Sequence, residues 1–181
     1  MKPHNDYFLT DRNDKNFLNY YWFEKGLSED DLVVFHRKLV GGGVHDSHEI
    51  VNYDQAIRKT EVHFVENKES TATTDGSAWE LPVQATLFDG ILTGSTTLAA
   101  EAVVQGAPTL LISKAKRGFL TYLSDQSHFF HWNEDELFDG RFTEMANEWM
   151  THMREIRTSS RTPVVDETKA TLDGLFRQPI P

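Results

Sequence analysis

Ser95, Thr96 and Thr97 follow Gly94 where an apolar run ends and a small-residue segment begins, and Glu101 lies four residues beyond Thr97. At a helix start, hydroxyls and backbone N–H groups outside the helical ladder can meet an anion, which the positive end of the helix dipole favours. A carboxylate four residues on shares that helix face one turn deeper. There it can accept hydrogen bonds from two adjacent hydroxyls, as on a ribose, while a phosphate sits at the helix tip. Ser and Thr are equally the preferred residues of an ordinary helix cap, and a lone helical glutamate is ordinarily solvated. The cluster reads as an anion site only in company.

The company is a basic loop, Lys114, Lys116 and Arg117, three cations within four residues of an acidic chain. It follows the apolar run Thr109 to Ile112, so a parallel arrangement puts it on the same sheet edge as the Ser-Thr turn. Arg37 closes another apolar run, and His45 and Asp46 follow Gly41-Gly42-Gly43 at what reads as a strand-to-helix turn. His45 and Asp46 are the weak candidates for catalysis. The spacing of His45 and His48 matches no standard zinc pattern, and there is no cysteine to complete one. No metal and no cofactor are expected. A Gly-x-Ser-x-Gly elbow, a Walker loop and a Gly-x-Gly-x-x-Gly turn are all lacking, which leaves serine hydrolase, nucleoside triphosphatase and dinucleotide readings unsupported.

The elements that must position these residues follow from hydropathy. Leu87 to Ser113 reads as a buried strand, the turn, a slim helix rich in alanine, a Gly106-Ala107-Pro108 stop and a second buried strand. That is a βαβ unit with parallel strands. Asp31 to Arg37 and Glu61 to Val65 read as two earlier strands, with a helix to about Arg58 between them. Asn67 to Ala78 reads as a surface loop. A short helix is expected over Phe119 to Ser124 and a last strand over His128 to Trp132. Arg141 to Arg157 is amphipathic, with Phe142, Met145, Ala146, Trp149, Met153 and Ile156 at helical spacing. A modest helix over Asp166 to Arg177 closes the chain.

The expected fold is a single α/β Rossmann-like domain, with a parallel sheet of about five strands flanked by helices. It divides into an aromatic arm (residues 1–30), the Rossmann-like domain (31–157) and a helical tail (158–181). The 181 residues suffice for one core without disulfides or metals. A formal charge of -10 argues against a nucleic-acid partner. The polar N-terminus shows no signal peptide and no apolar run spans a bilayer, so a cytoplasmic location is expected.

Ser95-Thr96-Thr97-Leu98-Ala99-Ala100-Glu101-Ala102, Gly106-Ala107-Pro108 and Lys116-Arg117-Gly118-Phe119 together resemble the mostly archaeal domain-of-unknown-function 354 family. Val33-Val34-Phe35-His36-Arg37 followed by Val44-His45-Asp46 resembles its other marker. The family is similar to UDP-N-acetylglucosamine 2-epimerase and to GT-B glycosyltransferases. The resemblance implies the C-terminal half of a GT-B fold, which holds a nucleotide diphosphate sugar. By that resemblance Ser95, Thr96 and Thr97 meet the diphosphate and Glu101 the ribose, with Arg37 and His45 near the cleft. It further implies a separate protein supplying the N-terminal Rossmann half. The alternative is a non-catalytic interaction domain, or a truncated remnant of such an enzyme.

Overall fold

The computed structural model describes residues 26–28, 30–38, 61–68, 87–134, 137 and 140–157. Five strands form one sheet in the order β2-β1-β3-β4-β5, and every neighbouring pair is parallel. They are β1 (Leu32–Lys38), β2 (Val62–Lys68), β3 (Gly90–Thr93), β4 (Thr109–Ile112) and β5 (Phe129–Trp132). Three helices accompany them: α1 (Thr96–Val104), α2 (Gly118–Leu123) and α3 (Gly140–Arg157). This is the expected Rossmann-like α/β sheet. The helices read between β1 and β2 and after Pro163, and the loop read over Asn67 to Ala78, fall wholly or mostly outside the described residues.

Alternation along the strands makes two apolar faces. Leu32, Val34, Leu92, Leu110, Ile112 and Trp132 pack with Phe142, Trp149, Met150 and Met153 of α3. Val33, Phe35 and Ile91 pack with Leu98 and Ala102 of α1, and Leu111 and Phe129 with Leu120 and Leu123 of α2. The sheet is thus sandwiched, with α3 on one face and α1 and α2 on the other. The apolar stripe read from Arg141 to Arg157 is the face that α3 buries, with Met150 added to it.

The first strand of the βαβ unit departs from expectation. It begins at Gly90, and Leu87, Phe88 and Asp89 are buried turn residues before it. The reason is Asp89. Its N–H donates to the Val33 carbonyl at 2.9 Å, and its Oδ2 accepts the Val33 N–H at 2.8 Å. A side chain replaces the ladder at that point, so pairing starts one residue later. Arg157 then closes on the same carboxylate: Nε donates to Oδ1 at 3.0 Å and Nη2 to Oδ2 at 2.6 Å. Nη2 also donates to the Asp31 carbonyl at 2.5 Å. The end of α3 is clasped to the amino ends of β1 and β3. Asp31 itself is held below the usual carboxylate range by the backbone N–H and then the hydroxyl of Ser28.

Gly90 lets α3 approach. A Cβ there would lie 2.3 Å from Met153 Sδ and 3.0 Å from the Pro108 carbonyl oxygen. The methionine is able to swing away, but the backbone carbonyl also takes the Ile91 N–H at 2.8 Å and has no such freedom. Gly90→Ala is therefore expected to destabilise the fold by about 1–3 kcal/mol, as overpacking does. A urea midpoint equal to that of the wild type would remove the close approach as the reason for this glycine.

The Gly106-Ala107-Pro108 stop behaves as read, with a definable geometry. Gly106 has φ 78, its N–H donates to the Val103 carbonyl at 2.8 Å, and the Ala107 N–H donates to that of Ala102 at 3.0 Å. This is a Schellman closure, and the left-handed backbone at its turning point favours glycine. It ends α1 and feeds Pro108 directly into β4.

Candidate functional site

Parallel strands all end on one edge, and the strand order reverses between β1 and β3. In open α/β sheets ligands bind in the crevice outside the carboxyl ends at such a switch point. The residues there are Arg37 of β1 and Thr93 of β3, which face each other in register. The Thr93 hydroxyl donates to the Arg37 carbonyl at 3.3 Å and accepts the Ser95 N–H at 3.0 Å. One fully buried hydroxyl thereby ties the end of β1 to the turn that opens α1.

The turn itself is built as a cap. Ser95 has an extended backbone, its Oγ accepts the Leu98 N–H at 3.4 Å, and its carbonyl accepts the Ala99 N–H at 3.0 Å. The ordinary capping role is thus real for Ser95. Gly94 and Thr96 are buried, while Thr97 is exposed. The first-turn N–H groups of Thr96 and Thr97 precede the helical ladder. No acidic side chain stands in that turn, so α1 does not neutralise its own positive end.

Glu101 lies one turn deeper and is exposed beside Thr97 on the outer face of α1. Partial desolvation against the helix nevertheless holds its carboxyl above the ordinary carboxylate range.

The neighbouring strand repeats the device. Ser113 follows β4, and its buried hydroxyl accepts the Ala115 N–H at 3.2 Å, as Thr93 accepts that of Ser95. The loop so turned carries Lys114 and Arg117, both half-buried, and the exposed Lys116. Arg117 precedes the first residue of α2 without a side-chain cap bond. On the last strand the His131 Nε2–H donates to the Ser113 carbonyl at 2.8 Å. Reading by motif missed Thr93, Ser113 and His131. The signal available for the first two was a hydroxyl residue at the close of each apolar run.

The geometry therefore gathers Arg37, Gly94, Ser95, Thr96, Thr97, Lys116 and Arg117 on one sheet edge, with Glu101 a turn behind. His45 and Asp46 lie outside the described residues. Among the described residues no group of three His, Asp or Glu is placed to hold a metal, and no helix is long and apolar enough to cross a membrane. An open groove of about 970 Å³ runs along α3 past Phe130, His152, Glu144 and Glu148. It lies on the outer side of β5, away from the switch point. His152 there is pushed below its ordinary value, first by desolvation and then by His128.

Compared with protein-family models, with curated proteins and with solved structures, the chain matches none.

Proposed function

We propose that the carboxyl edge binds a nucleoside diphosphate sugar, as the nucleotide-holding half of a GT-B-type glycosyltransferase or epimerase. The observation that carries this reading is the position of the Gly94–Thr97 turn. It opens a helix directly at the β1/β3 switch point, beside Arg37 and with no acid of its own. The diphosphate takes the first-turn N–H groups and the Thr97 hydroxyl, the basic loop supplies countercharge, and Glu101 accepts from the ribose hydroxyls. Catalysis then belongs to a cleft completed by a second Rossmann half.

Titration calorimetry with UDP and UDP-N-acetylglucosamine tests the reading, and folded protein that gives no heat with either would overturn it. Glu101→Ala is expected to weaken UDP binding by about 1.5–3 kcal/mol, the worth of a hydrogen bond to a charged group. The pH profile carries a sign. Only the ionised carboxylate accepts from both hydroxyls, so wild-type affinity falls as pH drops through the raised Glu101 value. That loss begins above the range of an ordinary glutamate and is missing from the Glu101→Ala profile. Parallel profiles for the two proteins would take Glu101 out of the site.

A second reading, a non-catalytic interaction domain, is favoured by one observation. Val104, Phe119 and Tyr122 are exposed on the layer formed by α1 and α2. A fold that binds no nucleotide and yet captures a protein partner through this layer would replace the first reading by the second.

A further inference from the structure

An open sheet leaves one side of its outermost strands unpaired, and β5 is such a strand. The carbonyls of His128 and Trp132 accept from the N–H groups of Thr109 and Ser113, both at 2.9 Å. The parallel register therefore turns Phe130 and Trp132 toward β4. Alternation points the N–H and carbonyl of His131, and the carbonyl of Phe129, away from the sheet. Among the described residues no strand meets them. Strand edges are commonly blunted by their own lysines, inward charges or prolines. Phe129-Phe130-His131-Trp132 carries none of these.

The groove of about 970 Å³ runs beside this edge, and its charge is one-sided. Ser127 and Phe130 line it from the strand side, and Glu144, Glu148, His152 and Glu155 from α3. No lysine or arginine lines it. Glu144 and Glu148 stand four residues apart on the helix, a spacing at which like charges repel. Both are exposed, and among the described residues neither pairs with a cation. Arg141, three residues before Glu144, is taken up by Glu134 through bonds of 3.1 and 2.7 Å and lies over the Trp132 ring. Arg154 is exposed on α3 but is not part of the groove.

We propose that this groove docks a basic, extended segment of a partner protein, which adds to β5 as a further strand. The backbone of the segment bonds the outward groups of Phe129 and His131, the mode in which a free sheet edge takes up a peptide. Its same-side side chains repeat every two residues, about 6.6–6.8 Å. Glu144 and Glu148 are about 6 Å apart along the helix axis. Lysine or arginine at alternate positions thus meets one glutamate each. Charge disfavours a second copy as the occupant, since it brings a formal -10 of its own to an acidic groove. The groove lies away from the switch point, so the docking is independent of the nucleotide reading.

Fluorescence anisotropy on the full chain tests this with a labelled peptide of alternating lysine and threonine, about eight residues long. One control gathers the same lysines into a single block, and the other is the alternating peptide N-methylated along one backbone edge. The alternating peptide is expected to bind at least about tenfold more tightly than either control. Glu144→Gln combined with Glu148→Gln is expected to weaken it about tenfold. The thermal midpoint of that variant stays at or above the wild-type value, because a repulsive pair is relieved. Backbone pairing has its own readout: the His131 amide resonance shifts on adding the peptide and gains protection from hydrogen exchange. Equal binding of all three peptides would reduce the groove to plain charge attraction and overturn the docking. Unchanged affinity in the folded double variant, an unmoved His131 amide, or no binding up to about 1 mM would overturn it as well.

Discussion

Arg157→Ala is expected to destabilise the protein by about 3–5 kcal/mol, read as a lowered urea midpoint at unchanged slope. The carboxylate it leaves behind is that of Asp89, which is fully buried. In the wild type that carboxylate takes two bonds from the guanidinium and one from the Val33 N–H. Removing the arginine strips those two charge-assisted bonds from a fully desolvated carboxylate. Taking a buried pair apart costs more than the pair contributes over an apolar replacement, because the survivor remains desolvated. Asp89→Asn tests the same clasp from the other side. An asparagine oxygen can still accept from Val33, but the Arg157 guanidinium loses its counter-charge. A double-mutant cycle should return a clear coupling, since the two residues share one network. A loss below about 1 kcal/mol for Arg157→Ala would place the clasp among ordinary surface ion pairs.

Trp149→Ala should be comparably damaging, at about 3–5 kcal/mol, because it empties the largest fully buried side chain of the described fold. Trp149 sits in the middle of the α3 face, among residues from β1, β3, β4 and β5. Among the described residues its indole N–H has no hydrogen-bond partner, so there the ring stabilises by packing. Trp149→Phe should accordingly cost well under half as much, since a ring is kept and no hydrogen bond is given up. If the phenylalanine variant were as damaged as the alanine one, the indole N–H would have to be bonded after all.

Much of the layering was legible because it repeats locally. The α3 stripe recurs at helical spacing, and the runs Leu32 to Phe35 and Thr109 to Ile112 are too short and too apolar for anything but buried strands. The helix stop at Gly106 announced itself by residue type. What stayed hidden depends on contacts between distant positions. Asp89 stands in an apolar run and reads as a strand residue. Its partners Val33 and Arg157 are 56 and 68 residues away. The strand order has no local signature either, so the place of the switch point cannot be read from any one segment alone. At the candidate site, residue types marked Ser95 to Thr97 and the basic loop. The buried hydroxyls that turn those loops, Thr93 and Ser113, looked like the ordinary ends of strands.

The clasp between Arg157 and Asp89 has an evolutionary consequence. It secures the fold from the rim where the strands begin, whereas the turn and the basic loop occupy the rim where they end. Each strand thus separates a position under selection for holding the chain together from one free to be selected for what it meets. Loops on the second rim can lengthen, shorten or exchange charge without loosening the first. Divergence should therefore be concentrated between Lys114 and Arg117, while Asp89 and Arg157 change only together.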